Sequence, residues 1–267
     1  MNSIRRMLPL LCVFFAVLPC SAISEEVASI RELSGEGVDP SLDRLRFSDR
    51  TQLDPRYEKY LKAEPGLLTD WKTSILLPAP PQNSSPQTKA ELRYLHELIE
   101  KRTPRQEKAI IRQIEVAGMK LGPHQMKTIL GKSSARPATR SMLNIAQREM
   151  EILVFRLKVK FDRPRPDALD PTLSLSIPNP RHPAYPSGHS TQAHLLAYLL
   201  TEIDPKNQQG YLRAAQEIAR NREVAGVHYP SDSEAGRLLA RQITNQLLEV
   251  ESFQALVEAA RAEHPQG

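Results

Sequence analysis

The longest helical pattern in the chain runs from about Ala138 to Lys160, and prolines stop it. Apolar residues recur there at helical spacing; they are Met142, Leu143, Ile145, Met150, Leu153, Val154 and Leu157. Pro164 and Pro166 follow at once, and proline cannot continue a helix because it has no N–H and clashes with the preceding turn. The pattern predicts one long helix that leads directly into a proline-rich loop over residues 167–187.

Further helical patterns flank this stretch. Thr103, Pro104 and Gln106 form a capping box with proline at the first helical position. One helical pattern begins at Thr88. Five further helices are expected over about Pro104–Ala117, Ser190–Ile203, Pro205–Arg222 with Asp204 as cap, Ser233–Glu249 and Phe253–Glu263. No alternating β-branched runs or hairpin turns occur. We therefore predict an all-α fold, a single helical bundle.

The first 22 residues have the composition of a secretory signal peptide. An apolar stretch from Met7 to Leu18 follows two arginines and precedes three small residues. Acylation of Cys20 and twin-arginine export are alternatives, but Pro19 and the residues around the arginines fit those signals poorly. We expect a leader cleaved near residue 22 and a periplasmic mature protein.

The remaining chain divides by composition at residue 87. Residues 23–87 are rich in proline and polar residues and show little helical period, whereas helical spacing is sustained from residue 88 onwards. We expect an extended N-terminal arm over residues 23–87 and a helical domain over residues 88–267.

Charge and cysteine content exclude several classes of protein. The formal net charge of +5 falls to +3 without residues 1–22, which hold two arginines and no acidic residue. Aromatic residues make up 5% of the chain and basic residues are mostly interspersed with acids, unlike nucleic-acid-binding surfaces. Both cysteines lie in the leader, and no later segment approaches the roughly 20 apolar residues of a spanning helix. We expect no nucleic-acid partner, no stable membrane insertion and no disulfide.

Three short segments combine cations, a helix start and a His–Asp pair. They are Lys158 with Arg165-Pro166 after six residues, Pro186-Ser187-Gly188-His189, and Arg222 followed by His228 after five residues and Asp232 after three more. A phosphoryl group is held best by fixed cations and by N–H groups at a helix N-terminus. The three segments supply both kinds of group.

The histidines can carry the chemistry of phosphoryl transfer. The i, i+4 spacing of His228 and Asp232 allows a carboxylate to orient a neutral imidazole and make it more basic. His189, from another segment, can protonate the departing alkoxide. These groups complete phosphoryl transfer through a phosphohistidine without a metal or cofactor.

The three segments resemble the three signatures of the type 2 phosphatidic acid phosphatase and vanadium haloperoxidase superfamily. Their order and spacings match over residues 158–232, and the leader, "ILLPAPP", "AYPSGHS" and the C-terminal helices look like the bacterial class A nonspecific acid phosphatases. The resemblance implies His228 as nucleophile, Asp232 as its orienting acid and His189 as leaving-group acid. It implies phosphate binding by Lys158, Arg165, Ser187, Gly188 and Arg222.

Two features of the first and third segments leave questions open. Asn221 stands where the family commonly has a serine, which removes a hydroxyl and leaves an amide donor. Arg156, followed after six residues by Arg163-Pro164, repeats the first spacing with arginine in place of lysine. We prefer Lys158 with Arg165 because this register keeps the lysine that the family uses.

Several neighbouring residues allow more than one interpretation. His182, His189 and His194 invite a zinc site, but the last two are about 140° apart around a helix and no HExxH motif or cysteine pair is present. We interpret His194 as structural. Asp162 and Arg163 either line the pocket or pair with each other. Tyr185 and Tyr229 either shape the entrance for substrate or have a packing role.

The sequence therefore predicts an exported acid phosphatase acting on small phosphate monoesters, with possible phosphotransfer to other alcohols. The alternatives are a peripheral lipid phosphate or pyrophosphate phosphatase, a vanadate-dependent haloperoxidase, and an exported protein that binds phosphate esters without turnover. The resemblance also implies a homo-oligomer.

Overall fold

The fold is built from α-helices around one central, buried helix. The computed structural model describes residues 41–114 and 136–264. The α-helices within these ranges are α1 (Glu58–Lys62), α2 (Trp71–Ser74), α3 (Pro86–Glu100), α4 (Pro104–Ile114), α5 (Pro137–Phe161), α6 (Pro166–Leu169), α7 (Gly188–Ile203), α8 (Gln208–Val224), α9 (Pro230–Glu249) and α10 (Glu251–Ala262). No strand occurs in these ranges. The predicted all-α fold is confirmed.

Helix α7 is the central helix, and it packs against α5, α8 and α9. Most of its side chains are buried, the apolar Leu195, Leu196, Leu199 and Leu200 on one side and the polar Ser190, Thr191 and His194 on the other. A helix that is buried on all sides is stable only when other helices enclose it. Burial of α7 therefore fixes the positions of the three helices around it.

Helix α5 agrees with the long predicted helix to within one residue at each end. Pro137 occupies its first turn, where a missing N–H costs nothing, and the side chain of Glu263 accepts from the N–H groups of Ala138 and Thr139. The helix ends at Asp162, whose φ of 46° is left-handed. This turn redirects the chain, so that the residues after α5 fold back against the bundle.

Residues 41–85 pack on the bundle through short turns and helices. Tyr60, Leu68 and Ile75 are buried in the same apolar core as α5 and α7. Glu149 on α5 accepts from the N–H groups of residues 66, 67 and 68 at 2.9, 2.9 and 3.1 Å. The predicted boundary at residue 87 stays a prediction, while the leader over residues 1–22 and the arm up to residue 40 lie outside the described residues.

The ends of the helices agree with some of the predicted caps and differ from others. Thr103 and Gln106 form the predicted capping box, and the expected extension of α4 over residues 115–117 lies outside the described residues. Asp204 was wrongly expected to cap a helix starting at Pro205, because a 3-10 turn intervenes and the carboxylate accepts instead from Asn207 and Tyr211. A short helix, α6, interrupts the predicted loop.

Along residues 41–114 and 136–264, none of the helices combines the length and apolar character that crossing a membrane requires. The same ranges contain no group of three His, Cys, Asp or Glu side chains that could hold a metal ion.

Candidate active site

A buried histidine between a carboxylate and a guanidinium lies at the centre of the candidate site. His228 Nδ1 donates to Asp232 Oδ2 at 3.0 Å, and Arg165 Nη1 donates to His228 Nε2 at 3.1 Å. Burial and the nearby Arg165 lower the pKa of His228 well below its usual value, although Asp232 opposes this. The imidazole is therefore neutral, with its proton on Nδ1 and its lone pair on Nε2.

Asp232 is held in place from three sides. Although burial raises its pKa, Arg163 and the hydrogen bonds from His228 and the N–H of Tyr229 lower it below the usual range. Arg163 Nη1 lies 2.7 Å from Asp232 Oδ1 and 2.7 Å from Ser231 Oγ. The carboxylate is thus ionised and fully paired, which fixes the orientation of the His228 ring.

Arg165 connects the first motif to the third. Its guanidinium donates to the carbonyl oxygens of His182 and Val227 as well as to His228 Nε2. The side chain is 3% exposed, and burial lowers its pKa to about 10. It remains charged at neutral pH and lies directly beside Nε2 of His228.

Lys158 lies beneath the loop that precedes α7. Its Nζ donates to the carbonyl oxygens of Pro183, Ala184 and Pro186 at 2.7, 3.1 and 2.6 Å. These contacts use all three N–H bonds of an ammonium group, so Lys158 organises the loop in this structure. A phosphate contact by Lys158, as expected from the sequence, requires it to exchange one of these carbonyls.

Ser187 and Gly188 lie at the start of α7, as predicted. Ser187 is the N-cap, and its Oγ accepts from the N–H of Ser190 while its own N–H donates to the main-chain oxygen of Asp232. The second of these hydrogen bonds joins the start of α7 to the start of α9. The positive end of α7 is directed at the cluster, where it favours an anion.

Arg222 and His189 meet at a residue that the sequence did not single out. Gln113 Oε1 accepts from Arg222 Nη2 at 2.9 Å and from Asn221 Nδ2 at 3.2 Å. The main-chain oxygen of Gln113 accepts from His189 Nε2 at 3.3 Å. No sequence motif marks Gln113, because only the packing of α4 against α8 brings it to these groups.

The cations around His189 control its protonation. Burial and Arg222 lower the pKa of His189 to about 3, and Lys158 and Arg165 act in the same direction. His189 is therefore neutral in the free protein at neutral pH, with the proton on Nε2 facing Gln113. An anion bound among these cations would raise the pKa of His189.

Arg156 and Arg163, which repeat the spacing of the first motif, lie in different places in the structure. Arg156 donates to the carbonyl oxygens of Leu61 and Ala63 and pairs with Glu64, away from His228. Arg163 belongs to the site as the partner of Asp232, and its repeated spacing was the signal that could have identified it. Asp162 contacts Ser48 and not Arg163.

The other neighbours have packing roles. His194 is buried within α7 and its Nδ1 donates to the main-chain oxygen of Ser190 at 2.8 Å. Tyr185 and Tyr229 are buried, but Tyr185 also lines a surface cavity together with Glu91 and Pro230. The hydroxyl of Tyr185 donates to Pro78 O, and the ring of Tyr229 packs under Arg163 with 3.9 Å between guanidinium carbon and ring centre.

The structure thus brings the eight predicted residues into one cluster where α5 and α8 end and α7 and α9 begin. His182 also borders the cluster through Arg165, and its Nδ1 lies 3.0 Å from Arg165 Nη2.

Comparison with known proteins agrees with this arrangement. Residues 144–250 match the PAP2 superfamily and form a domain of that superfamily. The chain is 34% identical over 80 residues to non-specific acid phosphatases of Providencia stuartii and Salmonella typhimurium, a stretch covering 30% of this chain and 32% of each relative. It therefore spans about a third of the length of these curated relatives. The family resemblance inferred from the motifs is confirmed for this domain.

A solved structure extends the likeness of the fold beyond that stretch. The crystal structure of a bacterial vanadium-dependent iodoperoxidase matches with a TM-score of 0.60 at 17% identity, covering 86% of this chain and 66% of that one. At this identity the likeness concerns the fold alone.

Proposed function

We propose that the chain is an exported phosphomonoesterase that hydrolyses phosphate monoesters through a phosphohistidine on His228. The observation that carries the proposal is the neutral imidazole of His228, oriented by Asp232 at 3.0 Å, with its Nε2 lone pair beside Arg165. A neutral, buried and oriented imidazole is suited to attack phosphorus because it needs no deprotonation at the moment of reaction. Homology to acid phosphatases supports the same conclusion.

In the first half of the cycle, His228 Nε2 attacks phosphorus and the bond from phosphorus to the alcohol oxygen breaks. Arg165 Nη1 exchanges its hydrogen bond to His228 Nε2 for a phosphoryl oxygen, which frees the lone pair for attack. Arg222 and the main-chain N–H groups at the start of α7 hold the other phosphoryl oxygens. His189 donates its proton to the departing oxygen, which leaves as the alcohol. The developing positive charge on His228 is stabilised by the ionised Asp232.

In the second half, a water molecule attacks phosphorus and gives its proton to His189. The bond between phosphorus and Nε2 breaks, inorganic phosphate leaves, and His228 is neutral again. A different alcohol in place of water would yield phosphotransfer by the same steps.

The low pKa of His189 in the free protein fits this cycle only if substrate changes it. Its depression to about 3 is caused by burial and by Arg222. A bound phosphoryl dianion supplies the missing negative charge, so the substrate itself raises the pKa of its leaving-group acid.

The test is turnover of a chromogenic phosphomonoester in the presence of EDTA. We expect metal-independent release by the natural sequence and, for His228→Ala, a loss of more than about a thousandfold in kcat together with loss of the acid-labile phosphoenzyme. His96→Ala is the control, because His96 is partly exposed and bonded to Asp170 outside the cluster.

Three outcomes would contradict the proposal or redirect it. Near-normal turnover by a folded His228→Ala protein excludes His228 as nucleophile. Halide oxidation with added vanadate and peroxide, without ester hydrolysis, would favour the haloperoxidase alternative. Phosphate binding without any turnover would leave the non-catalytic alternative. Export, and the homo-oligomer that the resemblance implies, stay predictions.

A further inference from the structure

The C-terminal end of α4 occupies the anion side of the cluster. Gln113 is 4% exposed, and its side-chain oxygen accepts from Arg222 and Asn221 while its main-chain oxygen accepts from His189. The main-chain oxygen of Ile110, one turn earlier, also accepts from Arg222 Nη2, at 3.2 Å. Three oxygens of one helix end therefore contact the groups that would bind a ligand.

These contacts coincide with those that a phosphate ester needs. Arg222 would hold a phosphoryl oxygen and His189 Nε2 would give its proton to the leaving oxygen. In the free protein, Gln113 Oε1 occupies the first contact and Gln113 O the second. One residue thus occupies the donors that would bind a phosphoryl oxygen and the leaving oxygen.

Burial explains why Arg222 is paired with these oxygens. A buried guanidinium is costly unless its N–H groups are paired, and Arg222 is 1% exposed. A carbonyl oxygen has two lone pairs, so it can accept a further hydrogen bond from a buried guanidinium. Gln113 and Ile110 therefore satisfy Arg222 Nη2, while Arg222 Nε has no hydrogen-bond partner among the described residues.

A phosphate oxygen and the side-chain oxygen of Gln113 would compete for the same N–H group of Arg222, and the stronger of the two contacts displaces the weaker. An amide oxygen is neutral, whereas a phosphate oxygen is charged, so Arg222 forms an ion pair with phosphate and only a hydrogen bond to a neutral acceptor with Gln113. The side chain of Gln113 is therefore displaceable, and its removal from Arg222 lowers the net affinity of the ligand that replaces it.

We propose that Gln113 is an internal competitor that sets the affinity of the site for inorganic phosphate and phosphate monoesters. The inference rests on the proposed function for its assignment of Arg222 and His189. It also gives Asn221 a role, since the amide in place of the family's serine donates to the same oxygen of Gln113 and holds it over Arg222.

The experiment measures the Kd of inorganic phosphate by calorimetry in EDTA, and the KM for a chromogenic phosphomonoester. For Gln113→Ala we expect Kd and KM to fall by about fivefold, because the ligand no longer displaces a hydrogen bond of about 1 kcal/mol. For Gln113→Glu we expect Kd to rise by more than about tenfold, because a carboxylate pairs with Arg222.

The controls are Gln209→Ala and Gln209→Glu, which make the same changes at an exposed glutamine on α8 whose side chain contacts Arg213. Neither should alter Kd. A Gln113→Ala protein that melts like the natural one but binds phosphate equally or more weakly would overturn the inference and show that the amide only positions Arg222. Absence of phosphate binding in all the proteins would overturn it as well.

The two proposals fail in different ways. Calorimetry needs no turnover, so tighter phosphate binding by Gln113→Ala without any ester hydrolysis supports the internal competitor and contradicts the phosphatase. Hydrolysis with an unchanged Kd does the reverse.

Discussion

Asp232 uses both of its carboxylate oxygens, one for His228 and the other for Arg163. The guanidinium of Arg163 is almost fully buried, packs on Tyr229 and also contacts Glu91 at 3.3 Å. A buried carboxylate with one oxygen unpaired would be costly and free to rotate. Arg163 is therefore a positioning residue that acts on His228 through Asp232.

We expect Arg163→Lys to lower kcat for a chromogenic phosphomonoester much more than it changes KM. Lysine keeps the charge but cannot contact Asp232, Ser231 and Glu91 together as a planar fork does. Misplacement of a reacting group by about 1 Å costs on the order of a hundredfold in rate, so a loss of kcat of about tenfold to a hundredfold is expected. Steady-state kinetics at fixed pH measures both constants.

Arg156→Lys is the matched control, since Arg156 lies on α5 in the rival register and pairs with Glu64 outside the cluster. It should leave kcat unchanged. A positioning role would be contradicted if the Arg163→Lys protein had a normal kcat. It would also be contradicted if KM rose by the same factor as kcat fell.

At this scale, sequence patterns predict contacts between near neighbours and not those between distant segments. The spacing of His228 and Asp232 predicted their hydrogen bond, which is confirmed at 3.0 Å. The partner of the second carboxylate oxygen is 69 residues away, and Gln113 lies 109 residues from Arg222. Such contacts depend on how the helices pack: the repeated spacing marked Arg163 as a candidate residue but not its partner, and no local pattern marked Gln113.

Helices α7 and α9 lie in close contact at Gly236. A Cβ atom at this position would lie 2.7 Å from the main-chain oxygen of Ser187, 2.8 Å from Cβ of Ser190 and 2.9 Å from the N–H nitrogen of Thr191. Two of these three atoms belong to the backbone, so they cannot move independently of the helix. Glycine at 236 is therefore what allows the start of α7 to lie against α9.

We expect Gly236→Ala to destabilise the protein by about 1–3 kcal/mol, because overpacking forces the backbone of α7 to shift. The shift begins at Ser187 and Gly188, so we also expect weaker binding of inorganic phosphate. Urea unfolding and calorimetry measure the two effects.

Gly210→Ala is the matched control. Gly210 lies on α8, and a Cβ atom at this position would have no atom within 4 Å. Alanine is favoured over glycine in helices by up to about 1 kcal/mol, so this variant should be as stable as the natural protein or more so. Equal stability of the two variants would mean that α7 and α9 can separate without cost.

The helices themselves were largely predictable, and the reason lies in proline and apolar spacing. The ends of α5 were predicted to within a residue because Pro137 and the prolines after Phe161 bound its apolar pattern. Asp204 failed as a predicted cap because its carboxylate accepts a hydrogen bond from Tyr211, seven residues later along the chain. The predicted core stripe of α7 did not reveal that the helix is enclosed on all sides.

At the scale of the whole molecule, burial of the cluster couples stability to pH. His182 and His228 are 8% and 2% exposed, and burial lowers the pKa of each well below its usual value, aided by Arg165 and Lys158. Both are neutral in the folded chain, whereas both become protonated in the unfolded chain below about pH 6.5. The unfolded state therefore binds more protons than the folded state as the pH falls, which favours unfolding.

We expect the free energy of unfolding to fall as the pH is lowered from about 6.5 towards 4.5, by up to about 1.4 kcal/mol per pH unit for each buried histidine that stays neutral in the folded chain. Burial and Arg222 lower the pKa of His189 to about 3, so His189 contributes together with His182 and His228. The lowered pKa of Asp232 acts in the same direction only below about pH 4, where its unfolded form takes up a proton.

Urea unfolding at several pH values measures the slope. His182→Asn keeps a polar partner beside Arg165 but cannot titrate, so it should remove only part of the slope, while His189 and His228 retain their contributions. Inorganic phosphate should raise stability across the whole interval, because it binds only the folded cluster and neutralises its cations. A free energy of unfolding that stays constant between these pH values would mean that the folded chain protonates the three histidines, and a neutral His228 could then not be maintained for attack on phosphorus.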